Sequence, residues 1–274
     1  MAQLRAASET RATTPIPILL YHSVTDNPSP QAASCSVTPA ALVGQLACLA
    51  DRGYESMTVS KLATALRERA ELPHRLVVLT FDDGFADFSN TVLPALEEFG
   101  FLATLYVTTG FIQDQKDVSG VNRPGVMLSW SQILEARDRG IEIGAHSHMH
   151  PELDTLLPGK ARREIELPKA LLEERLQSEV TSFAYPFGYA TPRVRRMVRE
   201  AGYGSACAVK KMLSHTGDDL YFLTRLVILP STSLDALMKT IDGPYAPRTF
   251  MRAQVLPRGW RTVRRMRALP RIMR

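Results

Sequence analysis

Short apolar segments alternate with helix-forming segments along most of the chain, and this alternation restricts the possible folds more than any other feature. The segment 76–80 is continuously apolar and β-branched, as expected of a strand that is buried on both faces. A helix is predicted to follow it and to end at Gly100, because glycine readily adopts the backbone of a helix C-terminus. The same order recurs down the chain and predicts a parallel sheet covered by helices.

Capping residues and glycines set the predicted ends of these elements. Thr38 with Pro39 is typical of a helix N-terminus, and Ser129 with Gln132 has the spacing of a capping box. Pro168 is expected to interrupt or bend a long charged helix. Strands are predicted at 17–21, 76–80, 102–108, 141–145, 181–185, 203–209 and 226–229. Helices are predicted at 38–52, 91–99, 129–139, 159–177, 191–202 and 233–241.

Seven or so strand–helix units can either close into a barrel or wind as an open sheet. Both arrangements collect functional residues at the carboxyl ends of the strands. We predict one α/β domain over residues 15–240, with its motifs between about 75 and 240. A flexible N-terminal tail (1–14) and an arginine-rich C-terminal tail (241–274) are predicted to flank it.

Length and composition are ordinary for a globular protein. The 274 residues are enough for a full hydrophobic core, and 45% of them are hydrophobic while 22% are charged. Three cysteines are too few for a disulfide framework. The N-terminus lacks the apolar core of a signal peptide, and no segment is long enough for a transmembrane helix. We therefore expect a cytoplasmic or peripheral inner-membrane protein.

Positive charge is concentrated in the C-terminal tail. Residues 241–274 hold nine arginines, no lysine and one acid, so the tail carries +8 while the whole chain carries +5. The remainder is therefore net negative, at −3. Two roles are open for the tail, namely peripheral contact with an anionic membrane surface or a solvated basic segment. Nucleic-acid binding is not expected, because the body shows no basic face interleaved with aromatic residues.

Two adjacent aspartates follow the buried strand at 76–80. Asp82 and Asp83 lie in the segment TFDDG, residues 80–84. Acidic side chains are rarely buried at the edge of a core unless they are paired or have a function. One carboxylate can bind a metal while the other takes a proton from water. Asp-Asp-Gly by itself also fits a simple turn.

A histidine cluster, HSHMH at residues 146–150, follows another predicted strand. His146 and His150 are four residues apart, and a carboxylate from another strand would complete a 2-His-1-carboxylate set for a first-row divalent metal. His148 is either a third ligand or directed away from the other two, and the second reading is favoured. The reaction class that this combination indicates is metal-assisted hydrolysis of an amide or ester.

With these two motifs the sequence resembles the polysaccharide deacetylase family, the carbohydrate esterases of family 4 related to the nodulation chitooligosaccharide deacetylase. The family's TFDDG motif is matched by residues 80–84, and its H-[ST]-x-x-H motif by residues 146–150. The resemblance covers residues 15 to 240 approximately. It implies a distorted, TIM-like (β/α)7 barrel.

The resemblance also implies roles for individual residues. Asp82 would be the general base, and Asp83, His146 and His150 would bind Zn²⁺ or else Co²⁺, Ni²⁺ or Mn²⁺. The implied activity is removal of N-acetyl groups from a polysaccharide or oligosaccharide that contains N-acetylglucosamine. The alternatives are an O-deacetylase or a non-sugar amidase with the same metal site, and a glycan-binding protein with a degenerate site.

The third family motif departs from its common form. Many members have an arginine shortly before a Pro-Tyr pair, whereas residues 183–188 read FAYPFG here, with Ala184 near the arginine position. This form is similar to the branch that acts on exopolysaccharides such as poly-N-acetylglucosamine. A contribution from that arginine is therefore absent or comes from elsewhere. The backbone N–H of Phe187 is still a candidate oxyanion donor, because an N–H does not depend on the side chain.

The family's late Leu-x-His motif, which supplies a general acid, is not visible either. However, Tyr21-His22-Ser23 follows the first predicted strand, and an N-terminal Tyr-His of this kind supplies the acid in the exopolysaccharide branch. His22 is therefore predicted to protonate the leaving amine, with a structural histidine as the alternative. Arg225 either pairs with a carboxylate of the site or is a surface residue.

Aromatic residues flank the motifs and are candidates for contact with the glycan. An aromatic face can stack on a sugar ring, and we expect Tyr185, Phe85 and Tyr189 to bind the substrate. The expected partner is an N-acetylated glycan.

Overall fold

The computed structural model describes residues 14–115, 122–210 and 212–243. The strands in these ranges are β1 (Pro15–Ile16), β2 (Ile18–Tyr21), β3 (Glu55–Ser56), β4 (Leu76–Phe81), β5 (Ala103–Val107), β6 (Glu142–Ala145), β7 (Ser182–Ala184), β8 (Ser205–Val209), β9 (Ser214–His215) and β10 (Leu223–Val227). The α-helices are α1 (Pro39–Asp51), α2 (Val59–Glu68), α3 (Leu93–Glu98), α4 (Trp130–Asp138), α5 (Pro158–Leu176), α6 (Pro192–Glu200) and α7 (Leu234–Asp242). A π-helix covers Phe88–Val92, and 3₁₀ turns cover Thr109–Phe111 and Pro186–Gly188.

Seven parallel strands close into a barrel. The strands β4, β5, β6, β7, β8 and β10 pair in this order, and β2 pairs with both β10 and β4 to complete the ring. Leu19 of β2 is in register with Leu226 on one side and with Leu79 on the other. The short β3 pairs with the start of β4, and β1 pairs antiparallel with β9. The predicted (β/α)7 barrel is confirmed, and the open-sheet alternative is wrong.

Alternate residues of β4 contribute to two separate hydrophobic clusters, because successive side chains of a strand point to opposite faces. Leu79 and Phe81 belong to the large cluster that includes the outer helices. Leu76 and Val78 belong to a smaller cluster with residues of β2, β5, β7, β8 and β10, inside the barrel. Thr80 is the last residue of β4 on the inward face. The residues that follow the strand therefore lie at the mouth of the barrel.

The barrel interior accommodates Tyr106 because Gly144 faces it. A Cβ on Gly144 would lie 2.5 Å from the Cε1 atom of Tyr106, which is closer than two such carbons approach. The Tyr106 hydroxyl is hydrogen-bonded to the Ser182 hydroxyl. The guanidinium of Arg225 lies over the Tyr106 ring, 5.4 Å from its centroid. A glycine on β6 thus makes room for an aromatic support under a buried charge.

Most predicted elements are present, with shifted ends. The capping box of Ser129 and Gln132 is formed at α4, and the Thr38 side chain caps α1. Helix α5 runs unbroken through Pro168, so the predicted interruption is wrong, and the alternative of a bend there stays a prediction. The last barrel strand, β10, begins at Leu223, before the predicted segment 226–229. The prediction therefore omits its first three residues, 223–225.

Helix α2 is missing from the sequence prediction, which contains no element between residues 53 and 75. The Thr58 hydroxyl caps its N-terminus by accepting from the backbone N–H of Lys61. Val59 and Leu62 are buried in the cluster inside the barrel. Apolar residues at helical spacing are a usable signal for this helix.

The N-terminal residues 1–13 and the C-terminal residues 244–274 lie outside the described ranges. The predicted tails and domain boundaries therefore stay predictions, as does the proposed role of the arginine-rich tail. Among the helices of the described ranges, none has both the length and the apolar character that crossing a membrane requires.

Candidate active site

The two sequence motifs meet at the carboxyl end of the barrel. A cavity of about 490 Å³ opens there, and it is lined by both aspartates of TFDDG and by the first and last histidines of HSHMH. His22, which follows β2, lines the same cavity, as do Tyr185 and Phe187, which follow β7. Closure of the parallel barrel brings these strand ends together.

A left-handed turn directs both aspartates into one cavity. Asp83 has a φ of +73° and Gly84 a φ of +87°, a region that glycine adopts freely and aspartate tolerates. In an extended strand, neighbouring side chains would point to opposite faces. The turn instead leaves Asp82 directed into the barrel and brings Asp83 to the histidines.

Asp83, His146 and His150 place three possible metal-ligand atoms within 4.8 Å of one another. Asp83 Oδ1 lies 3.5 Å from His146 Nε2 and 3.3 Å from His150 Nε2. His146 Nδ1 lies 2.8 Å from the carbonyl oxygen of Ala184. Because a carbonyl only accepts, Nδ1 carries the hydrogen, and the lone pair of Nε2 faces Asp83.

The charge states of this group fit a divalent metal. Burial lowers the pKa of His146 to about 3 and that of His150 to about 4, so both imidazoles are neutral and have a lone pair to donate. Burial raises the pKa of Asp83 to about 6, and Asp83 Oδ1 is buried with no hydrogen-bond partner in the described part of the chain. A cation would satisfy that oxygen. Two imidazoles and a carboxylate suit Zn²⁺, Co²⁺, Ni²⁺ or Mn²⁺.

Asp82 is held by a bidentate ion pair at the top of the barrel interior. Arg225 Nη1 and Nη2 each lie 2.7 Å from one carboxylate oxygen of Asp82, and both side chains are buried. Burial by itself would raise the pKa of Asp82, but the charge and hydrogen bonds of Arg225, together with nearby His146 and His22, outweigh burial and hold this pKa below its ordinary value. Asp82 is therefore ionised at neutral pH, and its carboxylate has a defined orientation.

Arg225 comes from β10, far along the chain from the motif it supports. It also donates to Thr80 Oγ1 at 3.1 Å. It thus supplies Asp82 with the arginine that the third motif lacks at Ala184. The surface alternative for Arg225 is wrong, because its side chain has no exposed area. A lone arginine within an apolar strand is the usable sequence signal, since a buried charge requires a partner.

His22 approaches both carboxylates from β2, which lies between β4 and β10 in the ring. Its side chain is partly buried, and its Nδ1 is buried without a hydrogen-bond partner among the described residues. It lies close enough to lower the pKa of Asp82 and of Asp83. The residue predicted as the general acid is therefore in the same cavity as the predicted base.

Phe187 forms an exposed rim of the cavity. The residue is 53% exposed, and its ring packs edge-on against His150, with 4.7 Å between ring centroids. It also stacks with Tyr189 at 6.1 Å. Its own φ is +58°, and the turn packs so closely on β8 that a Cβ on Gly188 would lie 2.5 Å from the backbone nitrogen of Val209. The rim is therefore fixed against the barrel.

The other predicted substrate-binding aromatics differ in exposure. Tyr185 is buried, and its hydroxyl donates to the carbonyl of Tyr221 at 2.9 Å. Phe85 is also buried, and both rings line the cavity wall. Tyr189 contacts the rim through its stack with Phe187.

The turn between His146 and His150 is tight and is not a helix. Ser147 has a φ of +61° and His150 a φ of +54°, and the Ser147 hydroxyl accepts from the backbone N–H of His150 at 2.9 Å. His148 is directed to Thr109, with 2.9 Å between its Nδ1 and the Thr109 hydroxyl. The geometry therefore brings His146 and His150 together and directs His148 elsewhere.

Residues 69–206, half of the chain, match the sequence model of the family described as "Polysaccharide deacetylase". The chain belongs to the polysaccharide deacetylase family. The matched range includes both motifs and ends before β10, which carries Arg225. It also begins after β2, which carries His22.

Two relatives and one solved structure are similar to this family member. YxkH of Bacillus subtilis (strain 168), named provisionally as a polysaccharide deacetylase, is 24% identical over 228 residues, which cover 83% of this chain and 76% of YxkH. The poly-beta-1,6-N-acetyl-D-glucosamine N-deacetylase of Escherichia coli (strain K12) is 26% identical over an alignment of 255 positions, which covers 81% of this chain and 38% of that protein. The structure of deacetylase PplD from Streptococcus pyogenes, in complex with acetate, matches with a TM-score of 0.75 and 26% identity over 84% of this chain and 99% of that chain.

Proposed function

We propose that this family member is a metal-dependent N-deacetylase that releases acetate from N-acetylglucosamine units of a polysaccharide or oligosaccharide. The observation that carries the proposal is an ionised Asp82 beside the three-ligand group, with its Oδ2 atom 3.6 Å from His146 Nε2. A base next to an open metal site is the combination that hydrolysis of an unreactive amide requires.

The ligand group and the base have separate tasks in this proposal. Asp83, His146 and His150 would hold the metal, which when bound polarises the acetyl carbonyl and lowers the pKa of a water molecule. Asp82 accepts the proton of that water. The ion pair with Arg225 keeps Asp82 deprotonated and holds its carboxylate in place, so no reorganisation is needed when the proton is transferred.

We assign protonation of the leaving amine to His22 and part of the oxyanion binding to the backbone N–H of Phe187. His22 lines the same cavity as Asp82 and lies near its carboxylate. An imidazolium there can transfer a proton to the amine as the tetrahedral intermediate collapses. Phe187 lines the same cavity and its ring packs against His150, so its backbone N–H is the candidate for binding the developing oxyanion.

A glycan substrate is favoured by the shape of the cavity and by the relatives. The volume of about 490 Å³ is within the range of small-molecule sites. The exposed ring of Phe187, stacked with Tyr189, offers an apolar face for a sugar. The Escherichia coli relative is named for poly-beta-1,6-N-acetyl-D-glucosamine, and the PplD structure contains acetate, the acid that a deacetylation releases.

An O-deacetylase or a non-sugar amidase would use the same groups, because ester and amide hydrolysis pass through similar tetrahedral intermediates. A glycan-binding protein with a degenerate site is less well supported. Such a protein has no need of a buried, ion-paired carboxylate beside three ligand atoms.

Acetate release by the purified, metal-loaded protein tests the proposal. Chitooligosaccharides and poly-N-acetylglucosamine supply N-acetyl groups, and an acetylated xylan supplies O-acetyl groups. We expect acetate from the N-acetyl substrates, and a loss of about 10²-fold or more in Asp82→Asn with zinc binding retained. Asp51→Asn, an exposed aspartate of α1, is the control. Full activity in Asp82→Asn would refute the proposal, and release from xylan alone would favour the esterase.

Membrane contact through the arginine-rich tail and a cytoplasmic or peripheral inner-membrane location are part of the same proposal. The tail lies outside the described ranges, and its support is the nine arginines of residues 241–274. Co-sedimentation with anionic and with neutral vesicles tests it, using the full chain and a chain that ends at Gly243. Equal binding of both chains to anionic vesicles would exclude a contribution from the tail.

A further inference from the structure

A residue outside the motifs anchors the loop that carries the two ligand histidines. Glu164 of α5 directs its carboxylate to the middle of this loop. Its Oε2 atom accepts from the backbone N–H of His148 at 3.0 Å and from that of Met149 at 2.7 Å. A charged acceptor makes these hydrogen bonds stronger than bonds between neutral groups.

The backbone carbonyl of Glu164 contacts the same loop. The N–H of His148 lies 3.2 Å from this carbonyl oxygen. In a regular α-helix the carbonyl would accept from the N–H four residues later, at position 168. Position 168 is proline, which has no N–H and whose ring displaces the carbonyl of the fourth preceding residue. Pro168 therefore leaves the Glu164 carbonyl free for the loop.

The loop requires such support because its backbone conformation is costly. Ser147 and His150 both have positive φ, which is unfavourable for residues with a side chain. The 3₁₀ turn after β5 holds the loop from another direction, since the Gly110 N–H donates to the His148 carbonyl at 2.7 Å. A Cβ on Gly110 would lie 2.6 Å from that carbonyl oxygen, so the contact depends on glycine.

We propose that Glu164 is a positioning residue for the metal centre and that Pro168 reserves the Glu164 carbonyl for this purpose. Glu164 acts through the loop backbone, and the loop sets the separation of His146 and His150. Partners that orient metal ligands in this indirect way commonly tune metal affinity. The inference rests on the proposed function in one respect, namely that these histidines bind a metal.

Zinc affinity of the 274-residue chain, measured by competition with a chromophoric chelator, tests the role of the Glu164 side chain. Glu164→Ala removes the acceptor of two backbone N–H groups, so we expect the Kd for Zn²⁺ to rise about 10–100-fold. Excess zinc should restore most of the acetate release. Glu164→Gln keeps an acceptor oxygen and should show a smaller rise. Glu166→Ala, an exposed glutamate of the same helix, should bind zinc like the unmodified protein. Unchanged affinity in Glu164→Ala would overturn the inference.

Hydrogen exchange of the metal-free protein gives a second measurement that needs neither metal nor substrate. The amides of His148 and Met149 should exchange faster in Glu164→Ala than in Glu166→Ala. Equal exchange rates would contradict the anchoring role. If zinc binding and exchange respond as expected but no glycan releases acetate, the proposed function fails and the positioning role stands.

Pro168→Ala separates the contribution of the carbonyl from that of the carboxylate. Alanine restores an N–H that competes for the Glu164 carbonyl, and it has a far higher helix propensity than proline. A purely structural role for Pro168 predicts unchanged zinc affinity. The positioning role predicts weaker zinc binding, although the helix itself is more favourable. Unchanged affinity would overturn the role that we assign to Pro168.

Discussion

Arg225 and Asp82 place opposite charges inside a barrel whose lower interior is apolar. Removing two charges from water is costly, and the two hydrogen bonds of 2.7 Å only offset this cost while both partners are present. Two apolar side chains of the same shape would give the fold a similar free energy of unfolding. The pair is therefore better explained by its effect on Asp82, whose pKa it lowers and whose carboxylate it orients.

The double substitution Asp82→Asn/Arg225→Met should be more stable than Arg225→Met alone. The single change leaves Asp82 buried without a counter-charge, and losses of about 3–5 kcal/mol are typical of such a change. The double change removes both charges. Urea unfolding at pH 7 measures the difference, with Arg196→Met, at an exposed site on α6, as the control. If Arg225→Met were as stable as the double variant, Asp82 without its counter-charge would carry no burial cost, and this would contradict the expectation.

Helix α2 depends on partners from two barrel strands. The backbone N–H of Val59 donates to Thr104 Oγ1 at 2.9 Å, and that of Ser60 donates to Glu142 Oε2 at 3.1 Å. Thr104 also donates to Glu142 Oε2, at 2.9 Å. The first N–H groups of a helix have no partner within it, and here strands β5 and β6 supply them. Each of these three hydrogen bonds joins residues that are 38 or more positions apart in the sequence. Local sequence patterns therefore do not indicate them.

Glu142→Gln should remove part of the pH dependence of stability. Burial raises the pKa of Glu142 in the folded protein, so the fold binds this proton more tightly than the unfolded chain does. Stability should therefore fall as pH rises from the ordinary glutamate pKa of about 4.3 through the higher folded-state pKa, and Glu142→Gln should lack this fall.

Urea midpoints measured across this pH window test the expectation for Glu142. Glu98→Gln, at an exposed position of α3, is the control and should retain the pH dependence of the unmodified protein. If Glu142→Gln lost stability over the window as steeply as the control, the buried carboxyl would not be the group responsible.

The whole molecule assembles its site from strands that are distant in the chain. The N-terminal strand β2 completes the ring between β4 and β10, and this places His22 beside the aspartates. Asp82 and Arg225, which are 143 residues apart, meet for the same reason. In an open sheet the ends of β2 and β4 or β10 would not all be neighbours. Barrel closure is therefore a condition for the site.

Metal binding should stabilise the entire fold, since the proposed ligands follow two strands, β4 and β6, of one closed barrel. A metal that binds only the folded state adds about 2.7 kcal/mol at a concentration of 100 times its Kd. We expect the Tm to fall when a chelator removes the metal and to recover when Zn²⁺ is added. Asp83→Asn should show a smaller shift, and Asp51→Asn an unchanged one. A Tm that is independent of zinc would contradict a metal site in the folded protein.

The sequence by itself determined the family, the strand–helix alternation and the helix caps at Thr38 and Ser129. These features follow from patterns within a few residues of each other, namely continuous apolar runs, capping pairs and the motifs at 80–84 and 146–150. It also supplied the residues that the structure brings together as the Asp83, His146 and His150 group.

The strand–helix alternation left a barrel and an open sheet open, the family resemblance implied the barrel, and the tertiary structure confirmed it. Only the tertiary structure identified Arg225 as the partner of Asp82. The same holds for the contacts of Glu164 with the backbone of His148 and Met149, and for the unbroken course of α5 through Pro168. Each of these outcomes is a contact between segments that no local pattern relates. The closure of the strands into a barrel determines which distant segments become neighbours. Buried polar and charged groups in those segments must then pair with one another, because an unpaired buried group is costly.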